Sequence, residues 1–181
     1  KINIPKGKKY QTIWDINWGF NFVFKMFSKP KKYIEHVAQF IVVFRLLSGW
    51  RSSDLLGITR TNSIKIVEKG YFIRNWGTKT RQNSWSNYSF FPRIKNKNYI
   101  TFCIPSRIEA LLKASEDFKF ELLKIDNEWC APLLSQAAPD KHTGLYHALA
   151  GNTIKQKVQR LFLDKNVNPS DHGKSLWDQG F

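Results

Sequence analysis

Apolar positions along the chain change period twice, and the changes divide it into three stretches. Between residues 12 and 28 Trp14, Trp18 and Phe22 recur every four residues, which predicts a helix, and Lys29-Pro30 ends it. A second helix is expected from about Lys31 to Ser48. Its Ile34, Val37, Ala38, Ile41, Val42 and Phe44 cover so wide an arc that it should be buried on more than one side, and Gly49 stops it. Ser52, Ser53 and Asp54 then offer caps for a short third helix over about 53–56.

The period next falls to two. Residues 63–67 (SIKIV) alternate, Glu68-Lys69-Gly70 reads as a turn, and 71–76 and 88–91 read as further strands. Between them lies the polar, turn-like TKTRQNSWSN, 78–87. Residues 99–103 read as extended up to Pro105, after which Ile108, Leu111 and Leu112 restore helical spacing, with 118–123 expected to continue helically. Residues 126–150 read as mostly loop. Asn152 or Thr153 caps an expected helix with Ile154, Val158, Leu161 and Phe162 inside, and Asn168-Pro169-Ser170-Asp171 opens another. The expected fold class is α+β: a mainly helical single domain with a small antiparallel three-stranded sheet. Residues 1–10 form a basic flexible lead-in, and the domain occupies 11–181.

Composition narrows the class. With 181 residues, 42% of them hydrophobic, the chain can bury a core, and no apolar run approaches the roughly 20 residues of a membrane span. Cys103 and Cys130 form no CxxC pair, which excludes a zinc ribbon and suits two core thiols in a reducing compartment. The formal charge is +15, and it is one-sided. Residues 1–100 carry 19 Lys/Arg against 4 Asp/Glu, whereas residues 101–181 carry ten of each. Such a field attracts polyanions, phosphate backbones first among them, although a Lys-rich compositional bias would look the same. No amphipathic basic helix points to a membrane surface instead.

Four polar places bear on chemistry. Arg51 stands where two apolar helical segments meet. It is either a surface charge or a guanidinium pre-aimed to grip two phosphate oxygens. Lys79 and Arg81, in WGTKTR, are either a solvated basic turn or cations that enter a groove, where a lysine could protonate a departing oxygen. His172 and Lys174 lie in NPSDHGKSLW at an expected helix start, a place that favours anions. The GKS there is no phosphate-binding P-loop, because Asn168 occupies the position of the required first glycine. His142 and His147 are spaced five apart, without a carboxylate in the sequence pattern to complete a metal set.

In order and spacing these places resemble the catalytic domain of a tyrosine recombinase of the integrase family. The likeness is greatest to the branch carried by eukaryotic retrotransposons, Crypton-like elements and related viral elements. FRLLSGWRSSDLLGI (44–58) is similar to the family's first box, Thr/Ser-Gly-x-Arg-x-Ser-Glu/Asp-Leu, with Arg51 on the first catalytic arginine. NSIKIVEKGYFIRNWGTKTR (62–81) resembles the strand pair that ends in a Lys-Thr turn, with Lys79 on the hairpin lysine. ITFCIPSRIEALLKAS (100–115) is similar to the Cys-Pro stretch that opens the next helix, and TIWDINWGFNFVFK (12–25) to the helix before the core. The resemblance implies DNA breaking and rejoining through a phosphotyrosyl link, with Arg51, Lys79 and His172 catalytic and Arg81 and Lys174 on DNA. It implies double-stranded DNA as partner, a multimer on that DNA, and no metal or small-molecule cofactor. It also implies an intracellular setting, nuclear in a eukaryote. The end departs from the pattern. The family's His-x-x-Arg box would be His172-Gly173-Lys174-Ser175, with serine in place of arginine, and no tyrosine follows Tyr146. The expectation is therefore a chain truncated before the nucleophile, or an inactive DNA-binding module with the recombinase fold.

Overall fold

The computed structural model describes residues 30, 32–75, 88–125 and 127–151. The lead-in over 1–10, the helix over 12–28, the 78–87 turn and the helices expected after Asn152 lie outside the described residues.

Helix α1, Tyr33–Ser48, is the centre of the fold. Val37, Phe40, Ile41, Val42, Val43 and Phe44 are all within 1% of full burial, so the helix is enclosed on more than one side, as its wide apolar arc predicts. Each such side chain contributes about 1.5–3 kcal/mol by leaving water. At its start the Glu35 carboxylate accepts from the Lys32 backbone N–H at 3.2 Å. At its end Gly49 takes φ +65°, and its N–H donates to the Arg45 carbonyl at 2.9 Å. A left-handed cap of this kind is where glycine carries no steric penalty. Helix α2, Ser52–Leu56, follows after three residues. Leu55 and, just beyond it, Ile58 are completely buried.

Three strands then form an antiparallel sheet in chain order: β1 Ile64–Val67, β2 Gly70–Arg74 and β3 Tyr88–Pro92. Ile64 faces Ile73 and Ile66 faces Tyr71; across the other seam Tyr71 faces Phe91 and Phe72 faces Phe90. Tyr71, Ile73 and Phe91 turn into the core, where Phe91 lies 4.9 Å from the Phe44 ring. Gly70 is a close-approach glycine: a Cβ there would stand 2.2 Å from the Phe91 carbonyl oxygen.

Residues 97–102 form a 3-10 helix instead of the expected extended run. The Asn96 side chain accepts from Asn98 N–H at 2.9 Å and starts a tight turn, which the alternation of Ile100, Phe102 and Ile104 had disguised as a strand. Helix α3, Ile104–Lys113, begins with Pro105 in its first turn and buries Ile104, Ile108 and Leu111. It packs along α1, and Arg107 Nη1 donates to the Gln39 side chain at 3.1 Å.

The expected helical continuation over 118–123 does not form. Helix α3 ends in a turn at residues 114–117, and the chain runs extended beside Tyr146. Glu121 N–H donates to the Tyr146 carbonyl, and Tyr146 N–H donates to Lys119. Phe118 stacks on the Tyr146 ring at 3.8 Å, so an aromatic pair 28 residues apart in sequence outweighs local helical spacing. A second hairpin follows, β4 Leu123–Ile125 with β5 Glu128–Cys130, turning through Asn127 at φ +66°. The loop-like stretch beyond it is stitched back across the molecule. Arg60 N–H donates to Ala131, Leu133 N–H to Ile58, and Leu149 N–H to Leu134. Cys103 and Cys130 are buried free thiols. No helix among the described residues is long and apolar enough to cross a membrane.

Candidate nucleic-acid site

Arg51 is positioned by the residues around it. Gly49 reverses the chain after α1, and Trp50 packs edge-on against Phe44 with ring centroids 5.1 Å apart. The next residue has to leave the core, and Arg51 caps α2 in extended conformation (φ −71°, ψ 157°) with its side chain exposed. Its backbone N–H donates to Asp54 Oδ2 at 3.2 Å, while Asp54 N–H donates back to the Arg51 carbonyl at 3.1 Å. Asp54 is only 5% exposed, so a buried carboxylate pins the backbone that carries an exposed guanidinium. Its Oδ1 has no hydrogen-bond partner among the described residues.

Other arginines are committed to the fold. Arg60 donates from Nε to the Pro132 carbonyl at 3.1 Å and from Nη2 to Ser115 Oγ at 2.6 Å, and its guanidinium lies 4.0 Å over the Phe120 ring. Burial lowers its pKa, opposed by Tyr33. Arg107 donates from Nε to the Thr101 carbonyl at 3.1 Å, and burial lowers its pKa too. Arg93 makes a two-pronged ion pair with Glu109, which also accepts from the Tyr71 hydroxyl at 2.7 Å. Arg93 holds the Glu109 carboxyl below its ordinary range. Arg51, by contrast, forms no ion pair among the described residues.

Of the residues expected to act in catalysis or on DNA, Arg51 alone lies within the described part; Lys79, Arg81, His172 and Lys174 lie outside it. The two remaining histidines separate. His142 is exposed and its backbone N–H donates to Asp140. His147 does have carboxylate company, which sequence spacing could not reveal. Its Nδ1 is 2.5 Å from Glu121 Oε2 and its Nε2 is 3.9 Å from Asp140 Oδ2. The hydrogen bond to Glu121 raises the His147 pKa. No group of three or more His, Cys, Asp or Glu among the described residues could hold a metal ion.

Comparison with solved structures finds a likeness in fold to a recombinase. The particular likeness is to the XerH site-specific recombinase, solved in a pre-cleavage complex bound to its difH substrate. The TM-score is 0.54 at 13% sequence identity, and the match covers 99% of this chain and 44% of the XerH chain. The chain thus spans less than half the length of that recombinase. No protein-family model matches the chain, and no curated protein sequence matches it significantly.

Proposed function

We propose that this chain is the DNA-binding catalytic domain of a tyrosine recombinase, acting inside the cell on double-stranded DNA as part of a multimer. The observation that carries the reading is the exposed Arg51 held at a pinned helix junction within a recombinase-like fold. The surplus of 15 positive charges in residues 1–100 supports a phosphate-backbone partner.

In this reading a tyrosine hydroxyl attacks a backbone phosphorus and the bond to the 5′ oxygen breaks, leaving a 3′-phosphotyrosyl link that the reverse step resolves. The transition state gathers negative charge on the non-bridging phosphate oxygens. A pre-aimed guanidinium stabilises that charge without reorganising during the reaction. Arg51 supplies this fork, Lys79 protonates the leaving 5′ oxygen, and His172 assists proton transfer or holds the phosphate. Arg81 and Lys174 contact DNA. The chemistry needs no cofactor, and the mobile-element branch suggested by the sequence belongs to this same proposal.

The test is covalent trapping. In a protein containing this chain together with its nucleophilic tyrosine, a nicked duplex that traps the phosphotyrosyl adduct is expected to give adduct with the parent. Arg51→Ala should remove adduct formation by a factor of at least about 10² while only weakening duplex binding. Normal adduct yield with Arg51→Ala would overturn the assignment. A second reading, an inactive DNA-binding module with the same fold, is favoured by Ser175 standing where the second arginine belongs. It predicts duplex binding with no adduct from the parent protein.

A further inference from the structure

We propose that the outer face of the three-stranded sheet is a stacking platform for the unpaired bases of single-stranded DNA. The recombinase reading assigns this face no role, and the proposal does not depend on that reading.

Strand register puts Lys65, Phe72 and Phe90 in one row across β1, β2 and β3, and Arg74 beside Tyr88 in the row two residues along. Successive side chains of a strand point to opposite faces, so this set lies opposite the core-facing Tyr71, Ile73 and Phe91. Phe90 is 44% exposed, far more than packing requires, and Phe72 is half-buried against it with ring centroids 4.9 Å apart. The Arg74 guanidinium lies 6.0 Å from the Tyr88 ring centroid, and Lys65 is exposed. Val67 and Pro92 continue the face, and its described strand residues include no carboxylate.

Chemistry selects the occupant. Rings in rows two residues apart, Phe90 exposed and Phe72 and Tyr88 half-buried, give platforms for consecutive bases, and cations in the same rows meet the phosphates between them. A duplex keeps its base faces stacked inside and would engage Lys65 and Arg74 alone. An acidic peptide would likewise use the cations and leave the rings idle.

The experiment is fluorescence anisotropy of the 181-residue chain with a labelled dT oligonucleotide of about 12 nucleotides, a site of ordinary size for such surfaces. A duplex of the same length, an oligo-U strand and a poly-Glu competitor form the other arms. Phe90→Ala is expected to weaken dT binding about tenfold and duplex binding by less than about twofold, with Phe90→Tyr restoring the parent affinity. Should Phe90→Ala lower the unfolding midpoint, Phe90→Leu, which keeps apolar bulk and removes the π-face, is expected to lose dT affinity at least about fivefold. Equal losses on dT and duplex, no loss with either variant, or poly-Glu competing as well as dT would overturn the platform. Tighter binding of oligo-U than of dT would overturn its assignment to DNA. Loss of adduct in Arg51→Ala bears on the recombinase reading alone, so the two proposals fail separately.

Discussion

Gly49 and Asp54 decide where Arg51 goes. The first turns the chain out of α1 through a left-handed residue, and the second grips the Arg51 amide from a buried position. The Gly stop and Asp54 as a capping residue were legible as local signals; the two serines were not the cap, since the helix already begins at Ser52 and Arg51 is its N-cap residue. Lys79, Arg81, His172 and Lys174 were expected from the sequence as site residues, and they lie outside the described part. Gly70 shows the opposite case. The sequence marks Gly70 only as a turn residue; the Phe91 carbonyl oxygen 2.2 Å from where its Cβ would stand, together with its φ of +159°, comes from the folded strand pair. Gly70→Ala must push β3 away from the turn, with an expected loss of about 1–3 kcal/mol read by urea denaturation. An unchanged unfolding midpoint would show that β3 yields freely.

Among the elements, α1 was foreseen within a few residues because it keeps a helical period over its whole length, and the three strands because β-branched and aromatic residues run between turn signals. The failures have different causes: at 97–102 it is the local turn that Asn96 starts, and at 118–123 it is distant contact. In 118–123 the apolar spacing suits a helix, yet Phe118 and Phe120 are claimed by Tyr146 from 26 to 28 residues away. In β2 and β3 aromatic residues occupy both faces, so the pattern could not say which rings meet water. The 118–121 segment is held to the 140–147 loop by backbone bonds and by His147 against Glu121 and Asp140. Since its partner raises the His147 pKa, the protonated imidazole is the form the fold favours. This contribution to stability is complete below the unfolded value near 6.5 and fades as pH rises through the higher folded value. Amide exchange of Glu121 and Tyr146, measured against His147→Gln, is expected to become faster on going from pH 6 to pH 8 in the parent, beyond the intrinsic base catalysis, and not in the variant. The same pH response in both would remove His147 from the account.

Taken whole, the molecule divides its charge as it divides its structure. The basic surplus sits in residues 1–100, whose described part holds the Arg51 junction and the sheet, while the balanced remainder supplies α3, the second hairpin and the returning loop. If the basic part meets duplex phosphates, affinity for arbitrary duplex must fall steeply with salt. With about six phosphates neutralised, raising salt from 50 to 200 mM should cost roughly a thousandfold. A flat titration would remove the nucleic-acid partner.

The backbone pairing of residues 58–60 with 131–133 has a consequence for biosynthesis. A ribosome delivers the chain from its amino end, so the segment that follows Arg51 is synthesised long before the strand that completes its surroundings. A nascent polypeptide released short of residue 131 would carry α1, α2 and the three-stranded sheet, yet lack the pairing that braces residues 58–60. The finished surroundings of the Arg51 junction are thereby deferred until residues 131–133 have been made.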